Sequence, residues 1–134
     1  MKELDELILP ENVRYAQTHE WARLQGNNVR VGISDYAQNR LGDITFVELP
    51  RIGDLFRKGE PCGVLESTKA VAELFMPVSG EIATVNTDLD ESPGLINSDP
   101  YEAGWIMEIK PDGRDDPGSL LTSGDYRLVL EGLE

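Results

Sequence analysis

Thirteen glycines and eight prolines cut this 134-residue chain into short runs. Runs of that length cannot supply long helices. Most are rich in β-branched and aromatic residues, so they read as strands closed by turns. Residues 29–33 alternate, with Val29, Val31 and Ile33 on one face and Arg30 and Gly32 on the other. The segment His19 to Gln25 joins that strand through Gly26-Asn27-Asn28, a favourable hairpin turn. Residues 44–49, closed by Pro50, form another strand candidate, followed by 62–66, 71–76, 81–86 and 105–110. Trp21, Trp105 and Phe46 fall within these strands and are expected in the core. Gly80, Gly94 and Gly104 are expected at turns that need an unusual φ.

Two helical stretches interrupt the strand pattern. Ser34 is placed to cap a helix through Asp35 and Leu41, ended by Gly42, with the cation of Arg40 suiting the C-terminal dipole. Ser123 is placed to cap a second helix, whose Tyr126, Val129 and Leu130 share one side. Residues 111–119 read as a surface connection, and residues 1–9 as a loosely held extension. Short strands with small peripheral helices predict an all-β sandwich or barrel. We divide the chain into an N-terminal extension, 1–12, and one domain, 13–134.

Charge narrows the partners. Twenty-five acidic side chains against 12 basic ones leave a net charge of −13. That argues against nucleic acid and against an anionic membrane surface, both of which call for clustered Lys and Arg. It favours encounter with basic patches on other proteins. The single cysteine, Cys62, excludes an internal disulfide, and with His19 as the only histidine the usual zinc constellations are out of reach. No apolar run reaches membrane-spanning length, and MKELDEL is too acidic for a secretory leader. A cytoplasmic protein is expected, or one of the mitochondrial matrix if a eukaryotic targeting segment has been removed. Nothing resembles a nucleophile–base pair or a phosphate loop, so no catalytic residue is assigned.

One segment carries chemistry. In Gly63-Val64-Leu65-Glu66-Ser67-Thr68-Lys69-Ala70-Val71-Ala72-Glu73-Leu74, two apolar strand fragments flank Ser-Thr-Lys-Ala. A hairpin would hold Lys69 at its tip between small neighbours, open to acylation. By spacing alone the plainer reading, an ordinary solvated turn lysine, is preferred.

Residues 62–80, CGVLESTKAVAELFMPVSG, resemble a lipoyl attachment hairpin: Glu-Ser-x-Lys-Ala, a strand, then Pro-x-Ser-Gly. YAQTHEW (15–21), VGISDYAQNRLGDITFVELP (31–50), VSGEIATVN (78–86) and SPGLINSDPYEAGW (92–105) are similar to one branch, the H proteins of the glycine cleavage system. Generic lipoyl domains typically carry Asp-Lys-Ala and biotinyl domains Met-Lys-Met, neither of which is found here. The resemblance implies a hybrid barrel-sandwich of two antiparallel sheets with short peripheral helices and a C-terminal helix. It implies lipoate as an amide on Lys69, with Glu66, Ser67, Thr68 and Ala70 shaping the turn that a lipoyltransferase or lipoate ligase reads. It also implies a non-catalytic, monomeric carrier that takes an aminomethyl group from glycine decarboxylase, a pyridoxal-phosphate enzyme. The carrier would pass that group to a folate-dependent aminomethyltransferase and be reoxidised by dihydrolipoyl dehydrogenase. The family's contacts to the carried ammonium fall on Thr18, Glu20 and Glu73, with His19 in or beside the same cleft. Cys62 departs from the family's usual aromatic residue and is either a small buried hydrophobe or a thiol able to exchange with the cofactor. Two alternatives stay open: an H-like paralogue serving another lipoate pathway, such as sulfur oxidation with heterodisulfide-reductase-like complexes, and an unmodified adaptor.

Overall fold

The computed structural model describes residues 2–133. In chain order the elements are β1 (Arg14–Tyr15), β2 (Glu20–Gln25), β3 (Asn28–Ile33), α1 (Asp35–Leu41), β4 (Ile44–Glu48), β5 (Leu55–Phe56), β6 (Pro61–Ser67), β7 (Val71–Phe75), β8 (Gly80–Val85), α2 (Leu95–Ser98), β9 (Met107–Pro111) and α3 (Ser123–Glu131). The strands form a six-stranded sheet in the order β1-β2-β3-β9-β8-β5 and a three-stranded sheet in the order β4-β6-β7. All pairings among the described residues are antiparallel. The sheets do not close on one another. This is the expected two-sheet all-β architecture with small helices.

The core lies between the sheets. Val29, Val31, Ile82 and Ile109 of the larger sheet meet Val47, Leu65 and Leu74 of the smaller in one buried cluster. A second cluster of Tyr15, Trp21, Tyr101, Tyr126 and Leu130 fastens α3 to the outer strands. The α1 caps are as expected: the Ser34 hydroxyl accepts from the Ala37 N–H at 3.2 Å, and Gly42 ends the helix. At α3 the cap falls one residue earlier than expected. Thr122, not Ser123, accepts from the Asp125 N–H, and Asp125 answers through the Thr122 N–H, a reciprocal box that outcompetes a lone serine.

Three further expectations are corrected. Phe46 is 52% exposed because a bulge between Ile44 and Phe46 shifts the alternation, turning Ile44 and Val47 inward and Phe46 out. Trp21 is buried, but Trp105 is only half-buried, with the Arg30 guanidinium 4.4 Å from its ring centre. Gly80, Gly94 and Gly104 do not carry a positive φ. Gly80 and Gly104 instead sit against backbone: a Cβ would come within 2.3 Å of Lys110 O and 2.6 Å of Leu95 O, respectively.

Residues 2–9 are docked rather than loose, Met1 lying outside the described residues. Leu4, Leu7 and Leu9 pack on the aromatic cluster. Asp35, itself buried, accepts from Lys2 Nζ at 2.8 Å and from the Ile8 N–H at 2.8 Å, and Gln38 Nε2 donates to it at 2.6 Å. Burial alone would raise the Asp35 carboxyl, but these donors outweigh it and hold it below its ordinary 3.8. Its stabilisation is therefore present above that value and lost as the pH falls through the lowered one. Asp35→Asn is expected to cost about 1–3 kcal/mol in urea denaturation at pH 7. It should also expose residues 2–9 to limited proteolysis.

Candidate functional site

Lys69 stands exposed at the tip of the β6–β7 hairpin, flanked by exposed Thr68 and Ala70. Ser67 makes the turn rigid. Its N–H donates to Ala70 O at 2.8 Å, and its hydroxyl accepts from the N–H groups of Ala70 at 3.0 Å and Lys69 at 3.3 Å. On one flank the turn is tied to the α1–β4 connection, where the Thr68 N–H donates to Asp43 O at 3.1 Å, and to the start of β4, where Thr45 Oγ1 donates to Glu66 O at 3.2 Å. Asn97 of α2 braces that connection. It accepts from the Ile44 N–H at 2.8 Å and donates to Gly42 O at 2.9 Å.

Gly42 has a use beyond its cap. A Cβ there would lie 2.9 Å from Lys69 Cε, so the lysine stem runs across the bare backbone at the end of α1. Its φ of +75° with ψ of −162° is open essentially to glycine alone. Gly42→Ala is expected to cost about 1–3 kcal/mol from the backbone alone and to displace the Lys69 side chain. Chemical denaturation and the environment of the lysine Cε in NMR would check both effects.

Next to Gly42 opens a cleft of about 240 Å³. Thr18, His19 and Glu20 line it from the start of β2, Tyr36 and Arg40 from α1, and Glu73 from β7. The four cleft residues expected from the sequence are thus brought to one place, and so are the turn residues around Lys69. Ile33, Leu65 and Ala72 give the cleft its apolar part. Glu20 is 2% exposed, accepts hydrogen bonds from the Thr18 hydroxyl and from the Phe75 N–H (3.2 Å), and has no salt-bridge partner among the described residues. Burial pushes its carboxyl up to about 7, against the pull of those two donors. Glu73 is exposed at the rim.

His19 is held in place. Its φ of +81° is the one left-handed non-glycine backbone among the described residues, fixed by Ser34 N–H donating to His19 O at 2.9 Å. His19 Nδ1 shares a hydrogen bond of 2.7 Å with the Tyr126 hydroxyl, which shares another of 2.8 Å with Ser34 Oγ. Burial, with Arg40 adding to it, lowers the imidazole pKa and favours the neutral ring. Cys62 is not among the residues that line the cleft. Its Sγ is buried, donating to Leu74 O at 3.4 Å, and burial together with Glu20 pushes the thiol up to about 12. Among its two readings the buried hydrophobe is correct. The sequence did not point to Tyr36, Gly42 or Asn97 as parts of the site; the cap glycine at Gly42 was visible, but what crosses it was not.

Two open antiparallel sheets presenting a lysine on a rigid hairpin define a lipoyl-domain-like fold. The chain belongs to the glycine cleavage H-protein family, whose pattern it matches over residues 13–132. It is 48% identical over 126 residues to a glycine cleavage system H protein of Anaeromyxobacter sp. strain K, covering 94% of this chain and 98% of that one. A counterpart from Thermus thermophilus is 47% identical over 123 residues, covering 92% and 96%. The crystal structure of a glycine cleavage system H protein from Mycobacterium marinum superposes with a TM-score of 0.83 at 40% identity, over 92% of this chain and 98% of that one.

Proposed function

We propose that this chain is the lipoyl carrier of glycine cleavage, with Lys69 as its attachment point. The observation that carries the reading is the joint placement of an exposed, rigidly held lysine and a neighbouring cleft with a buried carboxylate that lacks a cation. The neutral Lys69 amine attacks an activated lipoyl group supplied by a lipoate ligase or lipoyltransferase. AMP or a carrier thiol leaves, one proton is lost, and the amide removes the lysine charge. When bound, lipoate supplies a dithiolane whose disulfide opens to take up a one-carbon amine and is re-formed by oxidation.

The chain's own residues give that group a place to rest. The lysine stem lies across Gly42 at the end of α1, whose Leu41 lines the cleft. Ile33, Leu65 and Ala72 limit water there, and Glu20, steadied by Thr18 and Phe75, offers a cationic amine a charge-assisted hydrogen bond. Glu73 adds a second carboxylate at the mouth. The partners are glycine decarboxylase, the folate-dependent aminomethyltransferase and dihydrolipoyl dehydrogenase. In this reading the chain is a carrier and catalyses no step itself.

The test is intact mass after incubation with a lipoate ligase, lipoate and ATP, with peptide mapping. A glycine decarboxylation assay with the partner enzymes follows. One lipoyl amide within 62–80, and glycine-dependent release of CO2, are expected. No acylation under conditions that modify an H protein used as a positive control would overturn the reading.

A further inference from the structure

The outward face of the β4-β6-β7 sheet is patterned. Register sets Phe46 opposite Glu66 and Glu66 opposite Val71; the next row sets Glu48 opposite Val64 and Val64 opposite Glu73. Opposed residues in an antiparallel sheet share a face, so apolar and acidic side chains alternate in both directions like a chequerboard. Phe46 is 52% and Val71 69% exposed, on either side of Glu66, and no Lys or Arg occupies these six positions. The inward neighbours Val47, Leu65 and Leu74 are core, so the outward side chains are not needed to fill the fold.

The short reach of an unmodified lysine bears on which partner would use this face. A carrier's extended arm can reach an active site at a distance, but the bare lysine projects only its own side-chain length. The enzyme that acylates it must therefore seat its catalytic centre against the hairpin tip and cover the adjoining surface. One flank of the tip is already closed by Gly42 and Asp43, through Lys69 Cε and the Thr68 N–H. The chequerboard face remains open. Resting on the carrier reading above, we propose that this face is the docking surface for the lipoate-attaching enzyme. Phe46 and Val71 enter an apolar groove, and Glu48, Glu66 and Glu73 meet Lys or Arg side chains at its edge.

The test uses the full chain purified without lipoate, a lipoate ligase, lipoate and ATP. Steady-state acylation is measured for wild type, a Phe46→Ser/Val71→Ser double variant, Glu48→Lys, and a control, Leu24→Ser, equally exposed on β2. KM for the protein substrate is expected to rise at least about tenfold in the double variant and in Glu48→Lys, with kcat little changed and the control like wild type. Circular dichroism melting verifies the fold of each, and Glu48→Lys keeps the test alive if the double variant unfolds. Wild-type KM in the folded variants would overturn the docking proposal and leave the carrier reading standing. So would normal acylation coupled to poor turnover by glycine decarboxylase, which would assign the face to that enzyme. Failure of wild type itself to be acylated would instead overturn the carrier reading on which the proposal rests.

Discussion

Lys69→Arg is expected to abolish acylation of the chain entirely while changing its stability by less than about 0.5 kcal/mol. Arginine keeps the charge and length at the hairpin tip, but its guanidinium stays protonated and offers no amine lone pair to an activated acyl group. Among the described residues the Lys69 side chain makes no hydrogen bond that the exchange would break: the turn is held by Ser67 and Ala70 and by Thr68 on Asp43. Intact mass should show no lipoyl increment, and glycine-dependent CO2 release should fall to the level without carrier. A urea melt should overlay that of the wild type. Residual modification elsewhere on the chain, mapped by peptide mass, would sink the assignment of Lys69; a collapsed melt would show that the tip has a structural task not visible in its contacts.

Glu20 should leave the second large signature, in the pH dependence of stability. Its folded value is raised to about 7 from an ordinary 4.5, so the folded chain holds more protons than the unfolded one between those limits. Relative stability from this group is then fully present below 4.5 and is lost as the pH rises through 7, the reverse of a salt-bridged carboxylate. Glu20→Gln removes the titration. It also turns one acceptor into a donor, which costs a roughly constant amount, on the order of 1 kcal/mol. The stability difference between wild type and Glu20→Gln should therefore swing by about 3 kcal/mol in favour of the variant between pH 4.5 and pH 8. Urea denaturation across that range, paired with the ¹³C carboxyl titration of Glu20, checks it. A flat difference, or a midpoint near 4.5, would mean that the carboxylate is solvated.

Local order in this molecule was legible in its sequence because local chemistry determines it. The α1 caps at Ser34 and Gly42, the hairpin around Lys69 and the β2–β3 turn each depend on a few adjacent residues. What failed did so at irregularities and at distance. A bulge after Ile44 reversed the side of Phe46, and a stricter capping box displaced Ser123 by one residue. The docking of residues 2–9 rests on Asp35, which in sequence looks like a helix-start acid and no more. Glu20 and Glu73 come together from β2 and β7 only through the tertiary fold. Their meeting was accessible through resemblance to H proteins and not through spacing.

The order of strands bears on how the chain acquires its shape during synthesis. β9 lies between β3 and β8, and the register that joins Val29 to Ile109 spans most of the polypeptide. Until Met107–Pro111 leaves the ribosome, the larger sheet exists as two unconnected pieces, β1-β2-β3 and β8-β5. The β6–β7 hairpin has no such wait, since its partners are neighbours in the chain. Pairings between distant segments are slow to close, while a hairpin forms in microseconds. The growing chain therefore displays its lysine turn before it owns a completed core, and the last strand to emerge acts as the keystone.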